Sequence, residues 1–310
     1  MNARENAVHG VLDLIGNTPL VEITKLCACS GIGRARIFAK LEFCNPSGSI
    51  KDRAALYMIE RAEKKGLIKN KKIVEATSGN MGISFAMIAA ARNYEFTAVM
   101  PDFSTKERCA LIEQYGAKVV LTSAGENYHG AIKKARQIAK ELGAWFPDQY
   151  ENEDNASAHE QTTGKEILSQ AGAVDAFVAG IGTGGTLVGV ARAVRKKFPN
   201  AQIIGVEPEE SRAISGGNIS RHGIAGIGVG FVPALYEKNK LLANEIISVS
   251  TKQAIACAKE LACSEGLRAG ISSGANVFAA LQVASRLKKG AVVTVLPDAS
   301  DRYYSTELFE

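Results

Sequence analysis

The chain has 310 residues, 46% of them hydrophobic and 22% charged, the balance of an ordinary globular protein rather than a disordered one. Its length exceeds one small core and predicts two domains. Lys and Arg outnumber Asp and Glu by 37 to 32, and this net charge of +5 is spread along the chain, which argues against a nucleic-acid partner.

No basic stretch followed by an apolar run opens the chain, and no window approaches 18 uninterrupted apolar residues. Neither export nor membrane insertion is expected, and the location read from this is cytoplasmic. The six cysteines (Cys27, Cys29, Cys44, Cys109, Cys257 and Cys263) form no CxxC pair. The four histidines are scattered, and His159–Glu160 lacks the second histidine of a zinc-protease motif. Free thiols and no metal site are therefore expected.

In chain order, short apolar runs at 36–41, 72–76, 96–100 and 118–121 predict strands. Segments of helical spacing lie among them, at 51–65, 79–93, 104–115 and 126–142. A boundary falls near 144–152, where Trp145, Pro147 and an acidic run interrupt the pattern. A second series follows, with strands at 175–179, 202–206, 246–249 and 291–296. Its helices fall at 156–170, 185–198, 252–264 and 274–287. The strands are apolar almost throughout, as when both sheet faces are buried. The expected fold is α/β: two open, mostly parallel twisted sheets flanked by helices, with a ligand cleft between domains outside the strand ends. The Gly-rich stretch 215–233 is longer than most connections, which marks it as functional or mobile.

Four motifs fall at expected strand ends. Gly180–Ile181–Gly182–Thr183–Gly184–Gly185–Thr186 follows a strand and opens a helix. Converging backbone N–H groups and the helix dipole suit a phosphate there. The same segment satisfies GxGxxG, with Glu207 about twenty residues on, so taken alone it leaves a nicotinamide dinucleotide open. In Ser47–Gly48–Ser49–Ile50–Lys51–Asp52–Arg53, Ser49 and Asp52 have capping-box spacing. Lys51 then lies in the first turn of a helix, where the dipole disfavours a cation and favours the amine that attacks a carbonyl. Thr77–Ser78–Gly79–Asn80–Met81–Gly82 offers hydroxyl, amide and N–H groups to a carboxylate. Gly270–Ile271–Ser272–Ser273–Gly274–Ala275–Asn276 has the same placement, and a plain serine cap would also explain it.

Read together with Ile15–Gly16–Asn17–Thr18–Pro19–Leu20, Lys40–Leu41–Glu42, Thr162–Thr163–Gly164, Gly226–Ile227–Gly228 and Leu296–Pro297–Asp298, these motifs span almost the whole chain. The sequence resembles the cysteine synthase (O-acetylserine sulfhydrylase) family of tryptophan-synthase-β-like, fold type II pyridoxal-phosphate enzymes. The resemblance implies pyridoxal 5′-phosphate carried on Lys51 as an internal aldimine. Lys51 would later remove the α-proton, giving an aminoacrylate to which sulfide adds. Asn80 would bond the cofactor's 3′-oxygen, Gly182, Thr183, Gly184, Gly185 and Thr186 would hold its phosphate, and Ser273 would meet the ring nitrogen. Thr77, Ser78, Gly79, Met81 and Gln149 would bind the substrate carboxylate, and Gly228 would lie beside its amino group.

It further implies a smaller, mobile domain of residues 41–148 that carries the carboxylate loop. Residues 1–40 and 149–310 would form a larger domain that carries the phosphate loop. The implied partners are O-acetylserine, sulfide, a second copy in a homodimer and the C-terminal tail of serine acetyltransferase. Met81 stands where many members have threonine, Ser47 where glycine is common and Ala76 where proline is common. These departures leave the donor open, with serine (in a cystathionine β-synthase) and O-phosphoserine as the alternatives. Arg212, near the expected cleft rim, would suit the phosphorylated donor, but a solvated surface arginine is the favoured reading.

Overall fold

A computed structural model describes residues 8–287 and 289–310. Among them nine strands form two sheets. The smaller sheet has three parallel strands, β3 (Lys72–Ala76), β4 (Glu95–Pro101) and β5 (Lys118–Thr122). The larger has six: β1 (Leu20–Ile23), β2 (Arg34–Leu41), β6 (Ala176–Gly180), β7 (Gln202–Pro208), β8 (Glu245–Val249) and β9 (Lys289–Leu296). Their order is β1-β2-β9-β6-β7-β8, all parallel except the antiparallel β1–β2 pair.

The helices are α1 (Lys25–Cys29), α2 (Lys51–Lys64), α3 (Asn80–Arg92), α4 (Lys106–Gln114), α5 (Asn127–Leu142), α6 (Glu153–Gln161) and α7 (Thr163–Gln170). After β6 come α8 (Gly185–Lys197), α9 (Ala234–Glu237), α10 (Thr251–Glu265) and α11 (Ile271–Arg286). Parallel strands need helical crossovers, so helices cover both faces of each sheet and the strands read as unbroken apolar runs. In β9 the alternation is clear. Val292 and Leu296 enter the core beneath α10 and α11, while Val293 and Val295 enter the core beneath α7 and α8. In the smaller sheet, Ile73 faces α2 and α3, and Val74 and Ala76 face α5.

Two local expectations are corrected, and one strand has no counterpart among the expected elements. The segment 156–170 is two helices, broken at Thr162 (φ −117°, ψ −81°), whose hydroxyl donates back to the Ala158 carbonyl at 2.7 Å. The break lets α7 lie close on α8, where a Cβ on Gly164 would stand 2.5 Å from that of Ala193. The capping box of Ser49 and Asp52 does not form. Asp52 is buried, and its carboxylate accepts from the Ser47 N–H (2.8 Å), the Ser47 hydroxyl and the Ser84 hydroxyl (2.6 Å). The acid therefore ties down the turn before the helix instead of capping it. Strand β1, only four residues long and at a sheet edge, has too few positions for its alternation to register in the sequence.

Candidate active site

The C-terminal ends of β2, β3 and β6 deliver three of the four motifs. The fourth, 270–276, follows α10 rather than the expected strand, and the Gly270 N–H holds it to the end of β9 on the Asp298 carbonyl at 2.9 Å. The turn after β2 closes through the Gly48 N–H on the Asn45 carbonyl (2.7 Å), with Gly48 at φ +83°. The Ile50 N–H donates to the Pro297 carbonyl at 2.9 Å, which laces this turn to the end of β9. Lys51 is the first residue of α2, and its Nζ has no hydrogen-bond partner among the described residues. Burial lowers its pKa to about 8, against the opposing pull of Asp298. A reactive amine is thus accessible close to neutrality.

Around that amine, the Asn80 side-chain N–H₂ donates to Asp298 Oδ2 at 2.6 Å, and its Oδ1 accepts from Arg302. Asp298 Oδ2 also accepts the Tyr303 hydroxyl at 2.7 Å. Asp298 is 1% exposed and its Oδ1 has no partner. The carboxylate is the counter-charge of Lys51, and sequence reasoning missed it because Lys51 and Asn80 lie more than 200 residues away.

The phosphate loop begins where β6 ends. Asn276 Oδ1 accepts the Gly180 N–H at 2.8 Å, and the Ile181 N–H donates to Val206 at 2.9 Å. Gly182 passes so close to the 226 backbone that a Cβ would lie 2.2 Å from the Gly226 oxygen. Gly184 turns at φ +90°, and α8 opens at Gly185 with its first N–H groups facing the cleft end of the dipole. His159 is buried, and burial holds its pKa well below the ordinary value; its neutral ring sits 3.4 Å from the Thr186 hydroxyl. The loop presents N–H and hydroxyl groups and carries no charged side chain, a set that suits an anion. Glu207, which a dinucleotide fold would turn to a ribose, is buried instead on the Ile214 N–H (2.9 Å) and the Ser215 hydroxyl.

The loop after β3 is shaped from behind. The Thr77 hydroxyl accepts the N–H groups of Gly79 (3.0 Å) and Gly82 (3.1 Å). The buried Arg108 donates to the Ser78 carbonyl at 3.3 Å, and its stem fills the space where a Gly79 Cβ would lie, 2.1 Å from Cδ. Only glycine, at φ +145°, fits there. Gln149 donates to the Ala76 carbonyl at 2.7 Å. Thr77 and Gln149 therefore hold the loop's shape.

Three expected site residues take other positions. Met81 is 2% exposed and packs in the core with Phe85 and Ile112, so only its N–H faces the loop. Ser272 lines the cleft beside Asn276, whereas Ser273 is fully buried and directs its hydroxyl to the Asp298 carbonyl at 3.5 Å. Consecutive helical residues point about 100° apart, so one serine excludes the other. The cleft wall at the Gly-rich stretch is residues 225–227, while Gly228 binds the Ile181 carbonyl through its N–H and the His222 ring through its oxygen. Arg212 is exposed on a turn closed by the Gly217 N–H.

One continuous cleft thus joins Lys51, Asn80, residues 182–186 and Ser272. It offers an unpaired amine at one place and an N–H-lined helix start at another. Between them lie hydroxyl and amide groups, a donor set that suits an aldehyde bearing a phosphate. The profile of the pyridoxal-phosphate dependent enzyme family matches residues 11–298. The chain belongs to that family and is a pyridoxal-phosphate enzyme. Within the family it is 44% identical to a cysteine synthase of Staphylococcus aureus over 98% of both chains. The solved cysteine synthase of Entamoeba histolytica superposes with a TM-score of 0.92 at 35% identity, covering 100% of this chain and 93% of that one. The O-acetylserine dependent cystathionine β-synthase of Helicobacter pylori superposes at 0.93 with 37% identity, covering 98% and 99%.

Proposed function

We propose that this enzyme makes L-cysteine from O-acetyl-L-serine and sulfide by β-replacement. The observation that carries the reading is the unpaired, partly neutral Lys51 amine in the same cleft as the N–H-lined loop 182–186. Bound pyridoxal phosphate supplies an electron sink for the α-carbon of the amino acid. Lys51 holds the cofactor covalently and then takes the α-proton on Nζ, a role its lowered pKa suits. Residues 182–186 hold the phosphate, and the Asn80 amide bonds the 3′-oxygen.

Ser272, rather than Ser273, meets the ring nitrogen. A hydroxyl leaves that nitrogen unprotonated more readily than a carboxylate does, which favours prompt loss of the β-substituent. The N–H groups of Ser78 and Met81 receive the substrate carboxylate, and with Thr77, Gly79 and Gln149 shaping the loop behind them they fix the direction of the Cα–H bond. Residues 41–148 act as the smaller domain and close over the amino acid. We further infer a cytoplasmic homodimer that accepts the C-terminal tail of serine acetyltransferase in this cleft.

A second reading, transfer to homocysteine, is favoured by the likeness to the Helicobacter pylori enzyme. Rates measured with O-acetylserine, O-phosphoserine and serine, each offered sulfide and homocysteine, separate the readings. The expected outcome is the highest kcat/KM for O-acetylserine with sulfide. Faster turnover with homocysteine supports the second reading, and preference for O-phosphoserine assigns Arg212 to the donor.

A further inference from the structure

The phosphate loop is supported from behind by a residue that none of its motifs contains. Asn155, on α6, is 1% exposed. Its Nδ2 donates one hydrogen to the Thr183 hydroxyl oxygen at 2.9 Å and the other to the Gln149 carbonyl at 2.8 Å. Its Oδ1 lies against Gly185 so closely that a Cβ there would stand 2.1 Å away. Gly185 is therefore glycine to admit this amide, not only to admit a phosphate.

The Thr183 hydroxyl has two lone pairs and one proton. The lone pairs are taken by the Asn155 amide and by the Gly185 N–H at 3.3 Å. The proton is left to donate outward, on the side where α8 opens. We propose that Asn155 is a positioning residue that fixes Thr183 as a hydrogen-bond donor to the cofactor phosphate and ties that loop to Gln149. The inference rests on the assignment of residues 182–186 to the phosphate. An amide is required, because a carboxylate offers no hydrogen to either oxygen and places a negative charge behind an anion site.

The test compares the purified enzyme with N155A, N155D, T183V and the N155A/T183V pair. It reads the pyridoxal phosphate dissociation constant by titrating the apoenzyme, and the ³¹P resonance of the bound cofactor. N155A is expected to weaken the cofactor roughly 10-fold and N155D roughly 100-fold, each with a shifted ³¹P signal. T183V should weaken it about as much as N155A, and the pair little more than either, because both changes remove one donated proton. If N155A does not fold, N155D and T183V carry the comparison.

Two results overturn the inference. One is T183V weakening the cofactor while N155A and N155D leave affinity and ³¹P shift unchanged, in which case the loop assignment stands. The other is simple additivity in the pair, which gives Asn155 a merely structural part. Wild-type affinity in every variant removes the loop assignment as well.

Discussion

Lys51 stands in two conflicting environments. An ammonium there loses hydration and faces the positive end of α2, while Asp298 pulls the other way. Burial wins, and the folded-state pKa falls from 10.5 to about 8. The sign of the linkage follows: between about pH 8 and 10.5 the unfolded chain holds the extra proton, so the apoenzyme gains stability as the pH rises through that window. Below it, both states are charged and the folded state carries the full cost, at most about 3 kcal/mol. Lys51→Met, which keeps the stem and removes the charge, should make the apoprotein more stable than wild type at pH 7. The gain should shrink by pH 9.5, as read by urea unfolding. A gain of the same size at both pH values rules out this account of the amine.

At the scale of elements, α2 is anchored by a buried ion network two residues beyond that amine. Arg53 binds Glu42 through Nε at 2.7 Å and Glu166 through Nη1 at 2.6 Å, and Lys40 reaches Glu166 at 2.7 Å. These contacts join β2, α2 and α7. Burial pushes the Glu166 carboxyl up, but Arg53, aided by Lys40, holds it at about 2. Its contribution is therefore present above pH 4.5 and is lost as the pH falls toward 2. Removing the guanidinium leaves Glu42 buried without its cation. Arg53→Met should destabilise the fold by about 3–5 kcal/mol in denaturant unfolding and weaken the cofactor, because Lys51 shares the first turn of the helix. A loss below about 1 kcal/mol shows that the network does not anchor α2.

At the scale of the molecule, the two sheets meet through few segments. Trp145, the only tryptophan, extends the smaller sheet by pairing with β3: its N–H donates to Lys72 at 2.9 Å and its carbonyl accepts from Val74 at 3.0 Å. The chain then passes by way of Gln149 to α6. Across the cleft, Phe231 of the Gly-rich stretch packs on His129 of α5, with ring centroids 4.6 Å apart, and on Tyr150 at 5.4 Å. Closure of the smaller domain requires these contacts to shift. Titrating the holoenzyme with a non-reacting amino acid should move Trp145 emission saturably and slow hydrogen exchange over residues 226–233. No change in either signal removes the closure proposal.

What the amino-acid sequence determined by itself is whatever depends on near neighbours. Unbroken apolar runs declared strands covered on both faces. The glycines at 79 and 184 and the lysine after a tight turn declared strand-end loops, because backbone strain and helix starts are local properties. Other features were decided only by tertiary structure, since their causes lie far along the chain. Asp298 became the partner of Asn80 across 218 positions, and Asn155 reached Thr183 across 28. The choice between Ser272 and Ser273 depended on where α11 begins, a one-residue matter that rotates a side chain by about 100°. Met81 turned inward because the core beside Ile112 had room for an apolar side chain, and Asp52 turned back to Ser47 because burial gave it no water. Long-range packing fixes which of several chemically equal groups faces the cleft, and spacing along a chain carries no record of it.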